Sequence, residues 1–375
     1  MTGEQQPWDV KSLTVAHHGF DILTGLGYKT LNSGNSVLVW CEAGRQDYRL
    51  RIQILDAQFR AVARTEEISL QRGHTVFAVA AMESGGFVIA WNEARLIKIR
   101  HCHDDGTINF TKAIGQTSSQ IDRIQLAVLP NDEIGIDCRE FFSIQNESDL
   151  TLCAVWCDAW HSTIAKLKGG DLVRIIMQSG HGSYHGAPPI YSFKGSIFAK
   201  AGTLLGEFHL NVPTTIVKNM YSHPDHTVIA ALTNAGFVLV WTQHGHHFGN
   251  SIRAQIFAED GASVGETFTV AVASQAESVN NPVIISAADG GFLIAWSLND
   301  DPDLLYQAQF FSNDGAKIGS QFGIGNYAGE DRSSLCLATN IANEIVALWS
   351  ENNEIKICQL AQIGGYDSSK GGITD

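Results

Sequence analysis

The sequence predicts an all-β fold, a seven-bladed β-propeller with four-stranded blades closed by its N-terminal strand. Three observations carry this prediction. One phrase recurs at a nearly fixed spacing, each copy divides into four strand-sized segments, and no window sustains a helical period. The phrase reads Gly-Gly-Phe-Val-Ile-Ala-Trp at 85–91, Ala-Gly-Phe-Val-Leu-Val-Trp at 235–241 and Gly-Gly-Phe-Leu-Ile-Ala-Trp at 290–296. Weaker copies end at Trp40 and Trp349, and a degraded one ends at Cys138.

These markers are separated by 51, 47, 103, 55 and 53 residues, so the one doubled gap hides a copy that has lost its signature. Six equal intervals place the hidden marker near position 190, in the apolar run Pro188-Pro189-Ile190-Tyr191-Ser192-Phe193. A period of about fifty residues repeated seven times is the dimension of a propeller blade.

Within a unit the first strand is short and apolar, as at 76–81, 228–232 and 283–286. A tight glycine-containing turn leads to the second strand, which carries the marker. The third alternates polar and apolar residues, as in Ile252-Arg253-Ala254-Gln255-Ile256-Phe257, the period of a half-buried strand. It turns at Asp105-Gly106, Asp260-Gly261 or Asp314-Gly315, where glycine supplies a positive φ without steric cost. The fourth strand follows, as at 265–270 and 319–324.

The last unit has a third strand at 354–360 and then a Gly-rich tail with no fourth strand. Trp8-Asp9-Val10-Lys11-Ser12-Leu13-Thr14-Val15 has the character of the missing strand, and its insertion into the last blade would leave no open seam. The expected layout is one domain over 1–366 and a flexible tail over 367–375. Its blades are expected at 17–72, 73–119, 120–170, 171–214, 215–273, 274–327 and 328–363, the last completed by a strand at 7–16.

Composition narrows the function classes. With 25 basic and 39 acidic residues the net charge is −14, which makes nucleic acid and anionic membrane surfaces poor partners. Cations, neutral sugars and amphipathic small molecules remain open. The N-terminus lacks a basic and an apolar signal region, and the apolar runs are strand-sized, so a cytoplasmic location without membrane insertion is expected. Seven cysteines at irregular spacing suggest buried free thiols rather than a disulfide framework or a zinc ribbon.

The Gly-Gly-Phe-x-x-x-Trp strand followed by x-Ala-Gln-x-Phe-x-x-Asp-Gly-x-x-x-Gly resembles a propeller repeat common in bacterial proteins, often within large secreted proteins that carry hemolysin-type calcium-binding repeats. It also resembles the propeller half of cyanobacterial alkylating enzymes of the cylindrocyclophane type. The resemblance covers units two, five and six well, one and seven moderately, and three and four poorly. It implies the fold and is nearly silent on chemistry. The calcium-binding nonapeptides are absent from this sequence, so neither those calcium sites nor a two-domain active site carries over.

Candidate site residues lie in the loops expected at the top of the ring. Two residues past the marker stand Glu42, Glu93, Glu140 and Glu351, with Gln243 at the same place in unit five. Strand alternation puts them on the same side as the marker Trp. Two readings stand: solvated loop starts, or an acidic arc for cation capture or general acid/base work, with Arg45, Arg95 and Arg139 close by and Tyr48 adding a phenol. A second signal is histidine, densest in unit five at His223, His226, His244, His246 and His247. His223, His244, His246 and His247 are candidate ligands for a divalent metal, although their spacing matches no named zinc motif, and loop histidines are commonly just solvated. The recurrence of His74-Thr75-Val76 as His226-Thr227-Val228 points instead to a packing role for those two histidines.

The scaffold repeats and the loops do not, which suggests a single asymmetric site for an organic small molecule rather than repeated lectin pockets. The expected function is a small-molecule binder or an enzyme of specialised metabolism, of cyclisation or alkylation type. In that reading Glu42, Glu93, Glu140, Arg45 and Tyr48 do the acid/base work. The contrasting expectation is a glycan-binding or protein-interaction propeller with no catalysis.

Overall fold

The computed structural model describes residues 12–17, 22–43, 48–62, 66–70, 76–118, 121, 123–138, 141–146, 151–156, 161–180, 190–200, 202–212, 216–217, 220–221, 224–244, 250–273, 279–298, 306–325, 335–351 and 354–360. Seven four-stranded antiparallel sheets span 22–70, 77–116, 124–156, 161–212, 224–272, 279–324 and 336–360. Six take their strands in sequence order. The seventh is completed by Leu13–His17, which pairs antiparallel with Glu354–Leu360 in the register Leu13↔Ile357 and His17↔Glu354. The inner strands touch in succession around the whole ring, the seventh blade's against the first's. This is a seven-bladed β-propeller closed by its N-terminal strand. Among the described residues no helix is long and apolar enough to cross a membrane.

The recurring phrase is explained by local geometry. The second glycine of the turn sits at φ +78°, +111° and +79° for Gly86, Gly236 and Gly291, and a Cβ there would lie 2.2 to 2.3 Å from the carbonyl oxygens of Cys102, Phe257 and Phe311. Only glycine lets the turn approach the third strand so closely. The amides of Gly86 and Gly291 donate to Asp104 Oδ1 at 2.7 Å and Asn313 Oδ1 at 2.9 Å. The glutamine of the Ala-Gln-x-Phe strand has an equally specific task. The Gln255 amide donates to the carbonyls of Ile256 (2.8 Å) and Val264 (3.2 Å), and Gln309 does the same to Phe310 (2.9 Å) and Ile318 (2.8 Å). These bonds satisfy backbone where the outer strand bulges, at Gly265 and Gly319 with φ near +66° and +67°.

The apolar core is divided among the blades rather than gathered at the centre. Buried apolar clusters lie at each of the seven blade interfaces. Every marker Trp points at the preceding blade: Trp91 packs with Val37, Val39 and Ile52 of blade one, and Trp241 meets the Phe193 ring of blade four edge-on at 5.3 Å. Each buried indole contributes heavily to holding its interface together, since Trp-to-Ala changes in cores cost about 3–5 kcal/mol.

The hidden unit lies earlier than the even spacing suggests. The turn bond from Leu167 N to Asp171 O repeats the one from Leu232 N to Gly236 O, so Ile176 occupies the marker place of Trp241. The apolar run near 190 belongs instead to the third strand, Ile190–Phe198. The inner strand of blade four, His161–Lys166, falls inside the span expected for unit three. A short blade three followed by a long blade four leaves the average period intact while moving the boundary. Among the described residues the interface between these two blades holds the smallest apolar cluster, Ala127, Leu129, Phe142, Ile144, Ile164, Leu172 and Phe198.

Candidate functional site

Only part of the predicted set falls within the described residues. Arg45, Glu140, His223, His246 and His247 lie outside the described residues. Glu42, Glu93 and Glu351 sit on the same side of their strands as the marker Trp, as alternation requires, and each is engaged within its own blade. The Trp40 indole N–H donates to Glu42 Oε1 at 2.7 Å, and Trp349 donates to Glu351 Oε2 at 3.2 Å. Gln243 accepts from Trp241 at 3.2 Å in the same way. In blades one, five and seven position two past the marker is thus an acceptor for a buried indole, whereas in blade two Glu93 turns to Lys98 and does not accept from Trp91.

Glu42 is only 1% exposed, held between Trp40 and the Arg51 guanidinium, whose Nε is 3.4 Å away; Arg51 in turn reaches Glu67 at 2.6 Å. It is neither a solvated loop start nor a funnel-lining base. Glu93 pairs with Lys98. Tyr48 packs, half-buried, on the apolar cluster between blades one and two. His244 is half-buried at the end of its strand. Among the described residues no group of three or more His, Cys, Asp or Glu side chains is arranged to hold a metal ion. His226 is exposed at φ +44° on a bulge of the inner strand, so packing does not explain it, whereas its neighbour Thr227 is buried.

The described residues that do converge belong to blades three, four and five. Arg123, just before the inner strand Ile124–Val128 of blade three, sends Nη1 past blade four to the Thr227 carbonyl of blade five at 2.6 Å. His161 starts the inner strand of blade four, and its ring lies 6.1 Å from that of His226, centroid to centroid. Gln125 stitches blades three and four, donating to the Ser162 carbonyl at 3.1 Å and accepting from the Thr163 hydroxyl at 3.0 Å and the Ile164 amide at 3.1 Å.

Beside this group the interface of blades three and four contains an ion pair. Arg174 Nε donates to Asp137 Oδ1 at 2.7 Å, with side chains 5% and 1% exposed, and the guanidinium lies over the Phe142 ring at 4.9 Å. Blade five carries Leu239 and Val240 at the two equivalent places. Burial pushes the Asp137 carboxyl up, against the opposing pull of Arg174, of the Ser162 hydroxyl and of Arg123. Among the described residues two arginines, Arg174 and Arg123, act on this one carboxylate.

None of Arg123, Asp137, Arg174 and His161 was singled out from the sequence. A signal was present: Asp137 and Arg174 interrupt the apolar runs Ile134-Gly-Ile-Asp-Cys138 and Leu172-Val-Arg-Ile-Ile176 at places where the repeat demands aliphatic residues.

No family model and no curated protein matches this chain. Solved structures do. A protein of unknown function from Dyadobacter fermentans aligns over 93% of this chain and 97% of its own at 9% identity, with a TM-score of 0.56. The β-propeller domain of the Trilobed protease from Pyrococcus furiosus, described as having an open velcro topology, aligns over 92% and 99% at 12% identity with a TM-score of 0.51. The α-L-arabinofuranosidase of Fusarium graminearum aligns over 92% and 94% at 9% identity with a TM-score of 0.48. At such identities these likenesses bear on the fold alone, and the protease domain is a β-propeller, as this chain is.

Proposed function

We propose that the chain binds a small organic molecule carrying an anionic group, at a single site where the inner strands of blades three, four and five begin. The observation that carries this reading is Arg123, whose Nη1 crosses blade four to donate to the Thr227 carbonyl and so brings a guanidinium to the place where the inner strands of three blades begin. A guanidinium offers five N–H donors in a planar fork suited to carboxylate or phosphate oxygens. His161 and His226 flank it, and the buried Asp137–Arg174 pair stiffens the wall behind. A reaction on such a ligand would draw on these groups rather than on Glu42 and Glu93, whose carboxylates are committed to Trp40, Arg51 and Lys98.

The test is a thermal-shift screen of carboxylated and phosphorylated metabolites alongside uncharged saccharides, followed by calorimetry on the wild type and on Arg123→Ala and Arg123→Lys. Anionic ligands are expected to lose at least about tenfold in affinity in Arg123→Ala, a change of about 1.4 kcal/mol, and to regain part of it in Arg123→Lys. Anionic ligands that bind Arg123→Ala as well as the wild type would remove the basis of the proposal.

A further inference from the structure

We propose that the groove between blades five and six is a second, independent site, and that it takes a neutral carbohydrate. In most blades the residue facing the marker across the sheet is a cation. Trp40 pairs with Arg51, Trp91 with Lys98, Ile176 with Lys194, Trp241 with Arg253 and Trp349 with Lys356. Most of these cations are neutralised nearby: Arg51 by Glu42 and Glu67, Lys98 by Glu93, Lys194 by Glu207 at 2.7 Å and Lys356 by Glu354. Blade six breaks the pattern twice. Trp296 faces Gln307, and the residue two past the marker is Leu298. The charge pair is gone, and with it the carboxylate or amide that accepts the indole hydrogen bond of Trp40, Trp241 and Trp349.

The space these charged chains occupy elsewhere is here a groove of about 680 Å³. Its walls include Trp296, Leu298 and Gln307 of blade six, Val272 on the outer strand of blade five, and Gln321 on the outer strand of blade six. Lys317, exposed at the start of its strand, is the one charged residue among the described residues lining the groove. Val272 is 63% exposed, an apolar surface left open beside polar amides.

That combination has a definite chemical complement. The primary amides of Gln307 and Gln321 offer donors and acceptors, while Leu298 and the open Val272 supply apolar surface above Trp296, which is itself 1% exposed. A pyranose presents both surfaces, C–H faces and hydroxyls that donate and accept, and carries no charge to desolvate. Among the described residues that line the groove, a strongly anionic or cationic ligand finds no counter-charge beyond the rim lysine. The groove volume is that of an ordinary small-ligand site.

The experiment screens neutral mono- to tetrasaccharides on an array, then titrates any hit by calorimetry. One variant, Leu298→Glu with Gln307→Arg, rebuilds in blade six the pair found in blade one and fills the groove. Another, Gln321→Ala, alters an exposed side chain that folding does not need. A saccharide is expected to bind the wild type in the millimolar range or tighter. The double variant should weaken it at least about tenfold and Gln321→Ala measurably, while Arg123→Ala leaves it unchanged. The proposal is overturned if the wild type binds none of these saccharides at tens of millimolar, or if the rebuilt double variant and Gln321→Ala bind as the wild type does. Loss of saccharide binding in Arg123→Ala alone would move the sugar to the Arg123 site and overturn it too.

Discussion

Replacing the Asp137–Arg174 pair by the residues blade five carries, Asp137→Val and Arg174→Leu, tests how the interface of blades three and four is held. Both side chains are buried and joined at 2.7 Å, so removing one leaves the other as a buried charge that has lost its ion-pair partner. Each single variant is expected to lose about 3–5 kcal/mol. The double variant has no charge to desolvate and conserves the net charge of the chain. It is expected to fall between neutral and about 1–4 kcal/mol more stable than the wild type. For 375 residues the entropy of unfolding is roughly 0.8 kcal/mol per kelvin, so a 4 kcal/mol loss lowers Tm by about 5 °C. Urea melts followed by tryptophan fluorescence and circular dichroism on all four proteins complete a double-mutant cycle. A loss below about 1 kcal/mol in either single variant, or a double variant no more stable than the worse single, would refute this account of the interface.

Three further outcomes follow from the fold. Glu42→Ala leaves the buried Trp40 indole N–H without its acceptor and should cost about 1–3 kcal/mol, whereas Glu42→Gln keeps an acceptor and should cost less, with anionic-ligand affinity unchanged in both by calorimetry. Gly236→Ala sets a Cβ 2.3 Å from the Phe257 carbonyl at φ +111°, and a loss of at least about 1–3 kcal/mol in a urea melt is expected; Ala at the open, positive-φ Gly265 should cost less. Burial, with Lys112 adding to it and Asp132 opposing, holds the His101 imidazole below its ordinary pKa, where it stacks on Phe110 at 4.4 Å. A base with a depressed folded pKa contributes stability that is present above its unfolded value, about 6.5, and is lost as pH falls toward the folded value. His101→Phe should therefore flatten the fall in Tm between neutral and mildly acidic pH, and an unchanged slope would exclude His101 as its source.

The repeat was legible because its residues answer to backbone necessity. Gly236 has nowhere to put a Cβ, Gln255 must satisfy a bulge, and Trp241 fills the space against blade four, so each survives in several units and announces the fold. Closure by the N-terminal strand was legible for a similar reason, since a last blade with three strands demands a fourth from somewhere. The site was harder to see. Glu42 and Glu351 drew attention as carboxylates at loop starts, yet position two past a buried Trp is where an indole acceptor belongs. Arg123 carries no pattern in the chain; its significance arises when Thr227, 104 residues away, comes within 2.6 Å. Blade four escaped because Ile176 replaces Trp and its neighbour Arg174 trades packing for charge, erasing the two cues that locate a unit.

The strand that closes the ring sets a constraint on assembly in time. Thr14 and Glu354, hydrogen-bonded at 2.9 Å, are 340 residues apart, and closing a chain loop of that length carries an entropy cost of about 5 kcal/mol beyond a constant. Blades that form from neighbouring strands have no such delay, so six are free to assemble while the seventh waits with three strands. During that wait Glu354–Leu360 is an unpaired edge whose complement exists once on its own chain and once on every other copy. Dilution favours the intramolecular partner, because the tethered strand then outcompetes strands from other chains. Crowded refolding favours exchange, and rings linked through a traded Leu13–His17 segment are the form that misassembly of this protein would take.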